Sequence, residues 1–423
     1  MSSTVRVPDL NDSVSPRRVF IVGGGIVGAS LAYFLSNEKN TDLEIVLIDK
    51  SLDELLGSTG HAPGFVGQLN ESPVLTSLAK ETVSAYMKVP GGFNVVGGLE
   101  LSSTPDGVET LHRRCDLARS SGLSAEIITP DRAASLAPDF IDAKRVQAGL
   151  IFPSDGTANA QTITRYYISE ARARGVKFLE TTVTGLVSTG DQLTALRSSH
   201  GDIQLNGSLT ILATGIWTAS LMSDVFQNPV PIIPVAHPYT FTLPRPPRCG
   251  PAYPFVRWLD HHVYARDHGD RDGLGSYNHP PLQANPTRAA IGAWPSDFEQ
   301  VLSEAASYLE NGQEFLLSGP SANLEEKRPF NGIFSVTPDN LPLAGEVPGI
   351  SNLWLCAAIW VTTAAGTAQL ISREICRGTK QVDPQDEVLL KALSPSRFQG
   401  LDPSLLETQA LRKYNDIYNR DSD

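Results

Sequence analysis

Residues 18–35 read Arg18-Val-Phe-Ile-Val22-Gly23-Gly-Gly25-Ile-Val-Gly28-Ala29-Ser-Leu-Ala-Tyr-Phe-Leu35, and they decide the fold. Arg18 to Val22 is a continuous β-prone run, as expected of a strand covered on both faces. The glycines interrupt it as a turn, and Ala29 to Leu35 continues as a helix. A second β-prone run, Leu43-Glu-Ile-Val-Leu-Ile-Asp49, follows. The segment is therefore one right-handed strand–helix–strand unit. Gly23, Gly25 and Gly28 fit GxGxxG, and Asp49 ends the next strand about twenty positions further on, as in dinucleotide-binding folds. There the first glycine permits the tight turn, the second lets backbone approach a pyrophosphate, and the third lets helix and strand pack closely. The helix start offers unpaired N–H groups and a favourable dipole to phosphate. Asp49 suits a ribose diol and repels a 2′-phosphate. The motif by itself leaves NAD and FAD both open.

Around this unit lies a chain of 423 residues, long enough for two or three domains, with 34 basic and 46 acidic residues and a net charge of −12. That balance argues against nucleic acid and against an anionic membrane surface, since both demand a basic face. Cys115, Cys249, Cys356 and Cys376 are widely spaced, without a CxxC pair, and read as reduced, mostly buried thiols. Two uncharged runs, 19–37 and 353–372, are long enough to be mistaken for membrane or export signals. Glycines break the first and threonines dilute the second, so both read as buried strand–helix pairs and no membrane partner is expected.

Residues 1–17 carry Asp9 and Asp12 and read as a flexible arm. Further strands are expected at 95–104, 177–187, 208–213 and the start of 352–377. Helices are expected at 105–122, 158–175, 298–317 and 403–418. The stretch 226–295, rich in proline and short β-like runs, suggests an antiparallel sheet.

Four motifs resemble the D-amino-acid-oxidase-like family of FAD-dependent oxidoreductases. They are the GGGIVG turn, Asp155-Gly-Thr-Ala-Asn159 before a helix, Leu212-Ala-Thr-Gly-Ile-Trp217, and Thr337-Pro-Asp-Asn-Leu-Pro-Leu-Ala-Gly345. Two more resemble the flavin module of dimethylglycine and sarcosine dehydrogenases: Gly57-Ser-Thr-Gly-His61-Ala-Pro-Gly64 and Pro234-Val-Ala-His-Pro-Tyr239. The resemblance implies an α/β fold, a Rossmann-like FAD-binding domain interleaved with an antiparallel-sheet α+β substrate domain. On that pattern residues 18–90, 155–225 and 330–385 form the discontinuous FAD-binding domain. Residues 91–154 and 226–329 form the substrate domain, and 386–423 a C-terminal helical tail.

The same resemblance implies FAD as cofactor. It places FAD contacts at Gly23, Gly25, Ile26, Val27, Gly28, Asp49, Lys50, Ser58, Thr59, His61, Val183, Thr214, Gly215 and Trp217. It adds Ile359, Trp360, Val361, Thr362 and Thr363 before the last helix. His61 stands where these dehydrogenases carry the flavin covalently, although Gly60 replaces their tryptophan. Covalent attachment and noncovalent contact both stay open. The loop Ala357-Ala-Ile-Trp360-Val-Thr-Thr363 departs from the family pattern, with Ile359 in place of a glycine and Thr363 in place of a histidine.

Catalytic candidates are His237, Tyr239, Tyr264 and Arg328. Oxidation of an amine needs the neutral amine; a histidine near neutrality can take its proton and a tyrosine can orient its nitrogen. Arg257, Arg266 and Arg328 are alternatives for a substrate carboxylate, with Arg328 favoured. His261, His262 and His268 with their neighbouring aspartates fit no zinc spacing, and no metal is expected.

The expected activity is FAD-dependent oxidation of a secondary or tertiary N-methyl amine or amino acid, followed by hydrolysis of the imine. The alternatives are a primary amine oxidase releasing ammonia and a flavin-bound scaffold protein without activity. Expected partners are a small amine and either oxygen or an electron-transfer protein as electron acceptor, in the cytoplasm. The resembling dehydrogenases carry a folate module beyond this region, so aldehyde made here is expected to be released.

Overall fold

Strand β1 (Arg17–Val22), helix α1 (Ile26–Asn37) and strand β2 (Leu43–Asp49) form the expected unit in the computed structural model. The structure describes residues 17–38, 43–223, 225, 230–285, 297–317, 329–377 and 381–415. β1 lies between β2 and Leu209–Leu212, parallel to both, with Ile21 opposite Leu47 and Ile211. The sheet continues to Leu353–Ala357 and Leu343–Glu346 on one side and Lys177–Glu180 on the other.

Alternation along β1 explains why Val19 to Val22 are all apolar. Val19 and Ile21 pack with α1 and with helices Ala160–Ala173 and Ala364–Cys376. Phe20 and Val22 face a small antiparallel sheet through Leu186, Leu193 and Leu196. Each such side chain contributes about 1.5–3 kcal/mol by leaving water. The two uncharged runs resolve as strand–helix pairs: 19–37 into β1 and α1, and 353–372 into Leu353–Ala357 and the helix from Ala364. Among the described residues no helix is long and apolar enough to cross a membrane.

The second large sheet is mixed. Its spine is Ile233–Phe241, buried along nearly its whole length. One edge of this spine pairs with Phe330–Val336, from Ile233 opposite Val336 to Tyr239 opposite Phe330. The other edge meets Asp272–Ser276 and Leu282–Gln283. The sheet runs on through Val263–Asp267, Phe255–Trp258, Gly98–Ser102, Ala148–Phe152 and Glu126–Ile128.

Four expectations change. Residues 330–336 belong by pairing to this second sheet, not to the first, because their whole length bonds to Ile233–Tyr239. The run 177–187 is two strands, Lys177–Glu180 and Val183–Thr189, in different sheets. The helix expected over 298–317 ends at Ala306, and Asn311 is drawn away to donate its N–H to the Asp139 carbonyl at 2.8 Å. Finally, the C-terminal residues do more than trail. Helix Pro403–Asn415 buries Leu406, Ala410 and Tyr414, four residues apart on one face, and Tyr414 joins the aromatic cluster beside the spine strand.

Candidate active site

The glycine turn is built as its spacing demands. Gly23 has φ +108°, a left-handed conformation that favours glycine. A Cβ on Gly28 would stand 1.8 Å from the Gly23 carbonyl oxygen, which is how α1 comes so close to β1. A Cβ on Gly25 would meet only Thr59 Oγ1, at 3.0 Å. Asp49 accepts from the Gly24 N–H at 2.5 Å and from the Ser51 N–H at 3.0 Å. A carboxylate has about four acceptor positions, so capacity remains for a ribose diol. Lys50 stands 3.9 Å over the Trp217 ring. Thr214 and Thr218 share a hydroxyl–hydroxyl bond of 2.9 Å in the turn after Leu209–Leu212, with Gly215 at φ +54°. Val183 follows Thr181, whose N–H bonds to the Asp49 carbonyl at the end of β2. The adenosine-side candidates therefore gather at one end of the parallel sheet.

A cavity of about 760 Å³ begins at Ile26 and extends between the two sheets. That size lies within the roughly 300–1,000 Å³ usual for small-molecule sites. Ser58, Thr59 and His61 line one wall and Ile359 to Thr363 another. The Ile26 N–H donates to Thr59 Oγ1 at 3.0 Å, and Ser58 Oγ donates to the Ile333 carbonyl at 2.9 Å. His61 Nδ1 lies 3.0 Å from the Gly57 carbonyl. A carbonyl only accepts, so Nδ1 carries a proton and Nε2 is left free of this contact. At Gly60 any side chain would strike the Leu55 carbonyl, 2.0 Å from its Cβ position, which explains why no tryptophan stands there.

The segment before helix Ala364–Cys376 is pinned on several sides. Trp360 Nε1 donates to the Ser335 carbonyl at 3.0 Å, and Tyr86 donates to the Val361 carbonyl at 2.8 Å. Thr362 donates to the Phe65 carbonyl at 3.3 Å. Thr363 precedes helix Ala364–Cys376 without a side-chain cap. Its place suits a helix start directed at negative charge.

His237, Tyr239 and Tyr264 line the same cavity. His237 Nε2 lies 2.5 Å from the Tyr264 hydroxyl, with the two rings 8° from parallel. Burial pushes the His237 imidazole well below its ordinary pKa, with His279 acting in the same direction, so it is neutral. The hydroxyl of Tyr239 is instead engaged by His268 Nε2 at 2.8 Å. Arg257 lines the cavity, 3.9 Å from Glu100. Arg266 is committed to the Pro63 carbonyl. Arg328 lies outside the described residues. His261 and His262 stand apart from the cavity lining, His261 stacking on Tyr308 at 3.9 Å. Asp267 and Asp272 are paired with Arg245 and Arg248. Among the described residues no group of three or more His, Cys, Asp or Glu could hold a metal ion.

Sequence reasoning missed Tyr277, His279 and Tyr414, which enclose His237, and the buried acids and bases at the far end of the cavity. There Arg114 binds Glu100 through two nitrogens at 2.7 Å and Glu71 at 3.0 Å. Behind the cavity lining, Asp155 accepts from the Gln68 N–H at 3.0 Å, and burial pushes its carboxyl up to about 7. The four-residue spacing of Leu406, Ala410 and Tyr414 was the one local signal for Tyr414.

A dinucleotide cradle joined to a cavity between two interleaved sheets is the architecture expected of a flavin-dependent oxidoreductase. The chain belongs to the family described as FAD dependent oxidoreductase, whose model matches residues 18–374. It is 27% identical over 396 residues to the mitochondrial dimethylglycine dehydrogenase of Rattus norvegicus, covering 89% of this chain and 44% of that protein. It is 26% identical to a formaldehyde-forming 4-methylaminobutanoate oxidase of Paenarthrobacter nicotinovorans, covering 90% of this chain and 46% of that one. The chain thus spans less than half the length of these curated relatives. The crystal structure of L-proline dehydrogenase from P. horikoshii shares the fold, with a TM-score of 0.77 at 21% identity, covering 91% of this chain and 98% of that one.

Proposed function

We propose that this chain oxidises the carbon–nitrogen bond of a secondary or tertiary N-methyl amine or amino acid. One observation carries the reading: a buried, neutral His237 bonded to Tyr264 opens on the same cavity as the Ser58–His61 loop and the Ile359–Thr363 segment. The similarity to two enzymes named for N-methylated substrates supports it.

The glycine turn, Asp49 and the start of α1 would hold the diphosphate and ribose, and the loop from Ser58 to His61 the flavin ring. Bound FAD would supply the two-electron acceptor that oxidation of the carbon next to nitrogen requires. The chain's own part is to present that carbon with its nitrogen deprotonated. Tyr264 at the cavity wall positions the nitrogen, and the His237–Tyr264 pair takes up its proton. Tyr239, Tyr264, Phe330 and Phe334 keep the site apolar, which favours the neutral amine over the ammonium ion. Arg257, which lines the cavity, is the candidate for a substrate carboxylate. Covalent attachment at His61 belongs to the same proposal, with Nε2 as the bonding nitrogen.

Anaerobic mixing with N-methylated and primary amines tests the reading. N-methyl amines are expected to bleach the flavin band and release formaldehyde. Ammonia from primary amines alone would shift the assignment to them, and no bleaching by any amine would overturn it. The same reaction followed with and without oxygen distinguishes oxygen from a protein as electron acceptor.

A further inference from the structure

Beyond Tyr264, His237 makes a second bond that leads away from the cavity. Its Nδ1 lies 2.6 Å from the Tyr414 hydroxyl, and that hydroxyl lies 2.8 Å from His279 Nε2. His279 Nδ1 in turn lies 2.8 Å from the carbonyl of Pro280. This last contact determines the direction of the whole row. A carbonyl has no proton, so His279 Nδ1 donates, and its Nε2 must accept in the neutral ring. Tyr414 therefore gives its single proton to His279 Nε2 at 2.8 Å in preference to the Ala236 carbonyl at 3.4 Å, and its oxygen accepts from His237 Nδ1. His237 Nε2 is left as the acceptor for the Tyr264 hydroxyl. The row contains no charged member, and the groups packed around its two imidazoles are aromatic: Tyr264, Tyr277, Phe298 and Phe334.

We propose that Tyr414 and His279 are positioning residues that hold His237 in its Nδ1–H tautomer and carry one proton from the cavity to His279. The inference rests on the amine-oxidising reading for the source of that proton. The steps balance. A substrate ammonium breaks its N–H bond to protonate the Tyr264 oxygen, whose own proton passes to His237 Nε2. His237 Nδ1 gives its proton to Tyr414, and Tyr414 gives its own to His279 Nε2. One positive charge thus moves, with no change of oxidation state, from substrate nitrogen to the His279 imidazole, against the downward shift that burial imposes on its pKa. The helix Pro403–Asn415 becomes part of the site because it supplies the link between the two histidines. Asn415 holds this arrangement from the next position, donating to the carbonyls of His279 at 2.8 Å and Tyr277 at 3.0 Å.

The test uses the FAD-loaded protein with 15N-histidine labelling, and has a readout independent of turnover. The wild type is expected to show His237 and His279 as Nδ1–H tautomers, with Tyr414→Phe disturbing both while retaining flavin. A wild-type Nε2–H tautomer at His237, or signals unmoved by the substitution, would overturn the proposal. Stopped-flow reduction by N,N-dimethylglycine supplies the second arm. Tyr414→Phe should slow reduction about tenfold or more near neutrality. His279→Gln keeps an acceptor for Tyr414 but no proton store. It should retain the wild-type rate at alkaline pH and lose it as the pH falls, whereas equal rates across the whole range would reject the relay. If no amine bleaches the wild type, the amine reading fails, and the nitrogen spectra still decide the tautomer.

Discussion

The backbone N–H of Ile26 donates to the hydroxyl of Thr59 across 3.0 Å, so the first turn of α1 is tied to the loop that carries His61. The two ends of the proposed cofactor site are thereby fixed relative to each other. Thr59→Val preserves shape and removes the acceptor, at a cost of about 1–1.5 kcal/mol. The flavin-to-protein ratio after gel filtration should fall while the thermal midpoint of the stripped protein changes little. An unchanged ratio would separate Thr59 from cofactor retention.

Gly28→Ala sets a small gain in helix propensity, at most about 1 kcal/mol, against a carbonyl oxygen 1.8 Å from the new Cβ. The clash wins. Because the obstacle is backbone, relief requires α1 to move off β1, and overpacking of this kind costs about 1–3 kcal/mol or more. Gly25→Ala meets only a hydroxyl at 3.0 Å and should spare the fold while impairing flavin retention. Denaturation midpoints of both variants check the contrast.

His61→Ala tests attachment of the cofactor. After acid precipitation the wild-type flavin is expected in the pellet and that of the variant in the supernatant. Wild-type flavin found in the supernatant would limit His61 to noncovalent contact.

Arg114→Ala would strand the Glu100 carboxylate, whose side chain is 3% exposed, without its two-nitrogen partner. Breaking a buried pair on one side costs about 3–5 kcal/mol. Urea unfolding should show that loss, and a change below about 1 kcal/mol would mean that Arg257 or solvent takes over the charge.

Asp155 supplies a pH dependence of defined sign. Its folded pKa of about 7 lies above the usual carboxylate value of 3.8, so between these limits the folded chain binds more protons than the unfolded one. Its contribution is most favourable at acid pH and declines as the pH rises to about 7, by on the order of 1.4 kcal/mol per pH unit. Asp155→Asn removes that slope. The wild type should therefore lose stability relative to the variant between pH 5 and pH 8, as read by paired unfolding curves. Parallel curves would show that the carboxyl titrates normally.

Reading outward from Gly23 worked because everything needed was local. β1, the turn and α1 are contiguous, and Asp49 follows within one crossover. His237 lies in a segment marked by resemblance, Tyr264 is a candidate by its residue type, and the structure brings them into contact. Tyr414 and His279 were not found. The first is 177 positions from His237, and no periodicity encodes a bond of that range. The strand Phe330–Val336, in the stretch expected in the FAD-binding domain, does not declare its neighbour in the sequence. Its partner, the spine Ile233–Phe241, accepts it through a long antiparallel register that is visible only in three dimensions.

The parallel sheet has a temporal consequence. β1 and β2 leave the ribosome early, but Leu209–Leu212 must join β1, Leu353–Ala357 must join that strand in turn, and the Tyr414 helix is synthesised later still. Closure of such distant segments is slow, because loop entropy is lost before the contacts form. During translation Leu209–Leu212 would therefore present an apolar edge with unmatched backbone groups, a surface that invites aggregation or a holding chaperone. The bonds of Tyr414 to His237 and His279 would form only after Leu353–Ala357 has emerged.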